Sequence, residues 1–177
     1  SYYAYTKFKG EELIKKYSKK NKYKFMILRY FNVAGASPSG KIGEVERSYG
    51  HLIKNISIQS LNKKPVIRIF GRNYKTIDGT CIRDYVHVSD LIDAHILGLE
   101  WIKRGGANRT YNLGSGQGFS VREVIKCVQQ VTNEKVPIVE CDRRFGDCTK
   151  LVSSSFFVNK ELGWEPFRSN LNEMITD

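Results

Sequence analysis

The chain has 177 residues, 41% hydrophobic and 27% charged, the balance of one globular domain or two small lobes sharing a core. Lys and Arg number 29 against 18 Asp and Glu, a net charge of +11 that attracts polyanions: nucleic acid, anionic membrane or phosphorylated small molecules. No apolar run approaches the ~20 residues of a membrane helix, no nucleic-acid-binding signature accompanies the Lys-rich run from Lys15 to Lys24, and none of Cys81, Cys127, Cys141 and Cys148 stands in C-x-x-C spacing, which argues against zinc knuckles. Reduced thiols in a cytosolic protein are the simplest reading.

In chain order, the pattern predicts a helix from Ala4 to Lys20 with Leu13, Ile14 and Tyr17 on one face, then one long buried strand from Phe25 to Val33. A Gly/Pro/Ser loop spans Gly35 to Gly43, a helix His51 to Asn62, and strands Val66 to Phe70 and Cys81 to Val88. Ser89 is expected to cap a helix with Ile92, Ile96, Leu99 and Ile102 on its apolar face, which leaves His95 as a satisfied core histidine. Thr110 to Leu113 reads as a strand. Ser120 and Glu123 form a capping box before a helix that buries Val124, Val128 and Val131. A strand at Val136 to Glu140 and a short helix ending at Gly163 complete an α/β order with at least partly parallel pairing. The start at Ser1, directly inside a helical pattern, reads as a piece of a longer protein.

Two glycine-rich stretches fall short of nucleotide motifs. Gly35 to Lys41 nearly spells a P-loop, but Ile42 stands where a Ser or Thr hydroxyl is needed for magnesium. Gly114, Gly116 and Gly118 follow a strand, yet Phe119 breaks the dinucleotide fingerprint; these are turn glycines whose backbone N–H groups could touch a ligand.

Tyr3 and Lys7 lie four residues apart and share a helix face. A free phenol has a pKa of about 10, and a nearby ammonium lowers it toward a value fit for moving a hydroxyl proton. The spacing alone is weak: Tyr5 and Lys9 repeat it, and two surface residues explain it equally.

The motifs around this pair are more specific. Tyr3-Ala4-x-Thr6-Lys7-x-x-x-Glu11 is followed by Arg29-Tyr-Phe-Asn32-Val-Ala-Gly35-Ala, Ser37-Pro-Ser-Gly-Lys-Ile-Gly-Glu44, Phe70-Gly71 and Asp78-Gly-Thr-Cys-Ile-Arg83-Asp-Tyr-Val-His-Val. Tyr111-Asn-Leu-Gly-Ser-Gly, Arg143-Arg-Phe-Gly-Asp147 and Glu161-Leu-Gly-Trp164 come next, in family order. Together they resemble the UDP-glucose 4-epimerase family of extended short-chain dehydrogenases/reductases over nearly the whole chain. The D-G-T-x-x-R-D-Y-V-H-V block and the P-S-G-x-I-G-E loop are the discriminating marks. Ala4 replaces the usual Gly. The family's G-x-x-G-x-x-G unit and catalytic Ser/Thr lie upstream of the Tyr motif and are absent from these residues.

The resemblance implies an α/β fold: the C-terminal part of an NAD(P)-binding Rossmann unit plus a small α/β substrate-binding domain. Residues 1–35 would close the dinucleotide-binding domain. Residues 36–177 would form mainly the substrate domain, with segments returning to the Rossmann sheet. It further implies NAD-dependent interconversion of UDP-glucose and UDP-galactose at C4, with Tyr3 as base, Lys7 lowering its pKa and binding nicotinamide ribose, and Phe31 against the nicotinamide. By the same resemblance Asn32, Arg83 and Arg144 contact the diphosphate or sugar, Leu52 and Arg68, Ile69 and Phe70 the uracil, and Asp147 the ribose. His51 and Leu151 line the remaining substrate surface. No metal is implied. The implied partners are a UDP-hexose, the missing N-terminal half and a second copy, in the cytoplasm; the segment alone would be inactive. A dehydratase or decarboxylase of the same superfamily, or a non-catalytic substrate-binding module, remains open on sequence. So does an Arg83–Asp84 salt bridge in place of a phosphate ligand.

Overall fold

The computed structural model describes residues 2–45, 51–61 and 66–177. Helix α1 (Tyr2–Asn21) ends in Lys19 and Lys20, cations placed where the helix dipole favours them, so the basic run is a solvated helix end. Its apolar residues do not enter a core here: Leu13, Ile14 and Tyr17 are all exposed, and Ser18 is the one buried residue of the helix.

The expected single strand is two. β1 (Met26–Tyr30) and β2 (Asn32–Ala34) are separated at Phe31, whose N–H donates to the Leu113 carbonyl at 3.0 Å. The break lets the chain change neighbours. β1 pairs in parallel with β5 (Arg109–Leu113), whereas β2 pairs in parallel with β4 (Ile82–His87). β4 is the central strand. β6 (Gly118–Ser120) runs antiparallel to its first half and β8 (Lys150–Leu151) parallel to it, with Arg83 opposite both Phe119 and Leu151. A third parallel pair joins β3 (Ile67–Phe70) to β7 (Ile138–Cys141). The short strands β6 and β8 carry no periodicity of their own and are invisible in the pattern.

Helix α2 (Leu52–Leu61) matches the expected segment, whose end at Asn62 lies outside the described residues. With β3, α4 (Val121–Thr132) and α6 (Leu171–Thr176) it encloses one core around Ile56, Ile69, Val124 and Met174. Leu113, Val86, Ala94, Val158 and Trp164 form the second core, between β5, α3 (Val88–Lys103) and α5 (Phe156–Leu162). Gly163 ends α5 at φ 67° as the left-handed cap expected of it.

Helix α3 corrects two expectations. Its cap is His87, whose Nδ1 accepts from the Ser89 N–H at 3.0 Å, not Ser89. Its buried face is Asp90, Leu91, Ala94 and Gly98, while Ile92, Ile96 and Leu99 are each about half exposed. Small residues decide this: a Cβ on Gly98 would stand 2.5 Å from the Met26 sulfur, so only that face can approach β1. His95 is accordingly exposed, bonded to Tyr30 at 3.0 Å and to the Leu91 carbonyl, rather than a core residue. In α4 the capping box is present and Val124 and Val128 are buried, but Val131 is 37% exposed because it lies in the last turn, beyond the core.

Candidate active site

Two groups of site residues are brought together, and no hydrogen bond or ion pair joins them among the described residues. The first is built at the start of β4. Arg83 donates through Nη1 to the carbonyls of Ile82 and Cys148, each at 2.9 Å, and places Nη2 3.5 Å from Asp147. Arg144 donates to the other oxygen of the same carboxylate at 2.9 Å, and its guanidinium stacks 4.8 Å over the Phe70 ring. The turn that allows this carries Gly146 at φ 84°. Asp84 is not the partner of Arg83, so the alternative salt bridge is absent: its carboxylate faces the opposite way and is fully occupied, as described below.

Two guanidiniums on one carboxylate leave a net positive fork beside a half-exposed leucine, Leu151, which stands opposite Arg83 in the sheet register. Arg68 and Phe70 alternate on the exposed side of β3, while Ile69 points into the core at 1% exposure and can meet a ligand only through its backbone. Such a fork suits a phosphate pair, since planar guanidiniums match phosphate oxygens bidentately. Asn32 begins β2 opposite Tyr85 and donates from Nδ2 to the Asp84 carbonyl at 2.7 Å, which ties it to the same strand as Arg83.

The second group lies on α1. Lys7 Nζ sits 5.3 Å from the centre of the Tyr3 ring, and both side chains are exposed. Tyr5 and Lys9 repeat the arrangement at 5.6 Å. A difference separates the pairs: Lys9 is neutralised by Glu12 at 2.8 Å, whereas Lys7 has no carboxylate partner among the described residues. Elsewhere burial pushes tyrosine hydroxyls the wrong way for a base, upward at Tyr74 and Tyr85 and up to about 12 at Tyr111.

A cavity of about 840 Å³ lies elsewhere, between the loop after β2 and the starts of α2 and α3. Of the predicted site residues only His51 lines it, 3.1 Å from Glu44; Leu52 packs on the first core. Its size carries less weight than the arginine pair, whose chemistry is specific. Sequence reasoning missed Tyr74 and Arg143 beside that pair. Arg143 stacks 3.9 Å over the Tyr74 ring, and Tyr74 is 4% exposed with no partner for its hydroxyl among the described residues. The adjacent arginines of the R-R-x-G-D run were the available signal. The N–H groups of the turn after β5 are taken up within the chain: Gly114 donates to Ser155 Oγ at 3.4 Å, and Ser115 and Gly116 donate to Asp84.

The NAD dependent epimerase/dehydratase family matches residues 1–114. The chain is 42% identical over 173 residues to the UDP-glucose 4-epimerase of Azospirillum brasilense, covering 98% of this chain and 50% of that protein. To that of Halalkalibacterium halodurans it is 44% identical over 151 residues, 85% and 45% of the two chains. Among solved structures, the UDP-glucose 4-epimerase from Brucella ovis in complex with NAD superposes with a TM-score of 0.92 at 36% identity, over 98% of this chain and 53% of that one. The enzyme from Bifidobacterium longum in complex with NAD+ and UDP gives 0.86 at 30% identity, over 94% and 50%. The chain thus spans about half the length of the curated relatives it matches. With the motifs in order along the sequence, the Rossmann-like α/β fold shared with these enzymes and a family match over most of its length, the chain belongs to the NAD dependent epimerase/dehydratase family.

Proposed function

We propose that this chain, joined to a dinucleotide-binding half, forms a UDP-glucose 4-epimerase that interconverts UDP-glucose and UDP-galactose. The observation that carries the reading is the Arg83–Asp147–Arg144 fork, a diphosphate-shaped cationic site in a chain whose relatives are named for UDP-sugars. Residues 1–35 then close the cofactor domain, and residues 36–177 form mainly the substrate domain. Homodimerisation and a cytoplasmic location belong to the same proposal; the exposed Ile92, Ile96 and Leu99 on α3 supply an apolar face for a second copy.

The residues present fit NAD on one observation: Lys7 is exposed beside an exposed phenol and has no carboxylate partner among the described residues, which leaves its ammonium open to a ribose hydroxyl. When bound, the nicotinamide supplies the acceptor and donor of hydride at sugar C4. Tyr3 takes the 4-hydroxyl proton and returns it. Lys7, whose ammonium stands 5.3 Å from the centre of the Tyr3 ring, would hold the ribose. Phe31, fixed at the break between β1 and β2, packs against the nicotinamide. Arg83 and Arg144 hold the diphosphate so that the hexose can present either face, and Asn32, His51, Leu52, Arg68, Ile69, Phe70, Asp147 and Leu151 line the nucleotide and sugar. The test is turnover by the full-length protein: UDP-galactose should yield UDP-glucose with NAD retained by the enzyme. Binding of UDP-sugars without turnover would favour a substrate-binding module, and a 4-keto-6-deoxy product would favour a dehydratase.

A further inference from the structure

The Y-x-x-x-K-x-x-x-E and R-Y-F-N runs are far apart in sequence, yet the structure joins them at one point. Glu11 Oε1 accepts from Arg29 Nε and Glu11 Oε2 from Arg29 Nη2, both at 2.6 Å. The Glu11 side chain is 12% exposed, on a helix whose Tyr3 and Lys7 are open to solvent. We propose that the Glu11–Arg29 pair is a positioning device that sets the roll of α1, and so aims Tyr3 and Lys7 relative to Phe31 and Asn32. This rests on the reading of Tyr3 and Lys7 as the acid/base pair.

Tyr3, Lys7 and Glu11 follow one another at four-residue spacing, one stripe along α1. The stripe ends at the fork. Further on, α1 is held at Ser18, whose hydroxyl donates to the Tyr23 carbonyl at 2.6 Å and accepts from Asn108 at 3.2 Å. A helix anchored at Ser18 alone can turn about its own axis, and a slip of one residue rotates a face by about 100°. Two parallel hydrogen bonds to a planar guanidinium fix direction as well as distance, which a single point charge cannot do. Lys15 lies 4.0 Å from the same carboxylate and adds charge but no such geometry. Arg29 sits in β1 opposite Asn112, two residues before Phe31, so the fork refers the helix to the strand that runs on directly into Phe31 and, across the break, Asn32. The Arg29 hydrogen bond holds the Glu11 carboxyl below the usual carboxylate range and keeps the fork intact at neutral pH.

The experiment uses the full-length enzyme with Glu11→Gln and Arg29→Lys, each read by kcat, UDP affinity, the pH profile of kcat and a melting scan. Arg29→Lys keeps the charge and loses the fork. Misplacement of a reacting group by about 1 Å can cost on the order of a hundredfold, so kcat should fall at least about tenfold in both variants. UDP affinity should hold, and the acidic limb of the profile should stay in place, because Tyr3 and Lys7 move together as one rigid stripe. A kcat within about twofold of the parent, with only a lower melting temperature, overturns the proposal. So does a kcat loss with a displaced limb, which would mean that Glu11 acts on the tyrosine pKa by charge. Tyr3→Phe measured in parallel separates the failures: full turnover there removes the acid/base reading itself. A slow Tyr3→Phe beside a fully active Glu11→Gln removes only the positioning role.

Discussion

Asp147 serves two arginines at once, and that arrangement sets what single substitutions should do. Arg83→Leu deletes one arm of the fork without touching Asp84, so it should weaken UDP as well as UDP-glucose. A charged hydrogen bond is worth about 1.5–3 kcal/mol, or about ten- to hundredfold in affinity. Titration of UDP against the full-length variant checks this, and unchanged affinity would leave Arg83 a structural residue. Leu151, half exposed opposite Arg83, is smaller than a tyrosine and larger than a serine. If it borders the hexose, overpacking by an acetamido group costs about 1–3 kcal/mol, so UDP-glucose should be preferred over UDP-GlcNAc. Leu151→Ser should narrow the ratio of kcat/KM for the two sugars. At this scale the family resemblance singled out Arg83, Arg144 and Asp147, and the structure groups both arginines on the one carboxylate. The four-residue spacing alone did not separate Lys7 from Lys9, the longer run from Tyr3 to Glu11 favoured Lys7, and the contact of Lys9 with Glu12 is one that spacing does not reveal.

Elements depend on buried polar anchors that the hydrophobic pattern does not report. Asp84, fully buried on β4, accepts five hydrogen bonds, from the N–H and hydroxyl of Ser115, the N–H of Gly116, and the N–H and hydroxyl of Ser153. It stitches the central strand to the turn after β5 and to the segment after β8. A Cβ at Gly114 would stand 2.5 Å from its carboxylate, which explains that glycine. Asp84→Asn turns an acceptor into a donor facing donors, and the unsatisfied groups should cost on the order of 3 kcal/mol, read as a lower denaturation midpoint. Ser120→Ala should cost about 1 kcal/mol through loss of the α4 cap, alongside its bond to Asp78. The capping box was legible because it is a local four-residue signature. The orientation of α3 was not, because two apolar stripes compete on it and the closeness of Gly98 to Met26 decides between them. The split of β1 from β2 was likewise hidden, since both halves are apolar and the cause is a change of partner strand.

On the scale of the whole molecule, two features follow from composition once the fold is known. Carboxylates at Glu11, Glu161 and Glu173 are held below their ordinary range by hydrogen bonds from Arg29, Arg109 and Arg168 respectively. Their folded pKa is depressed, so their stabilisation is fully present above the unfolded carboxylate value of about 4.3 and is lost as pH falls through the folded value. An acid titration followed by circular dichroism should therefore show loss of structure beginning below about pH 4.5, not near neutrality. The second feature is exposed apolar area: Tyr2, Tyr5, Phe8 and Leu13 on α1 and Ile92, Ile96 and Leu99 on α3. A surface of this kind in the isolated 177-residue chain should drive self-association, and without a glycine-rich phosphate loop that chain should not retain NAD.

The central claim is that Tyr3, and not its neighbour of identical spacing, is the acid/base of a C4 epimerisation. The direct measurement is the turnover of UDP-galactose by full-length Tyr3→Phe and Tyr5→Phe, with UDP affinity determined for both. Tyr3→Phe should lose on the order of 10²–10⁴-fold in rate with UDP affinity nearly intact, and Tyr5→Phe should remain close to the parent. A slow Tyr5→Phe beside an active Tyr3→Phe would contradict the assignment.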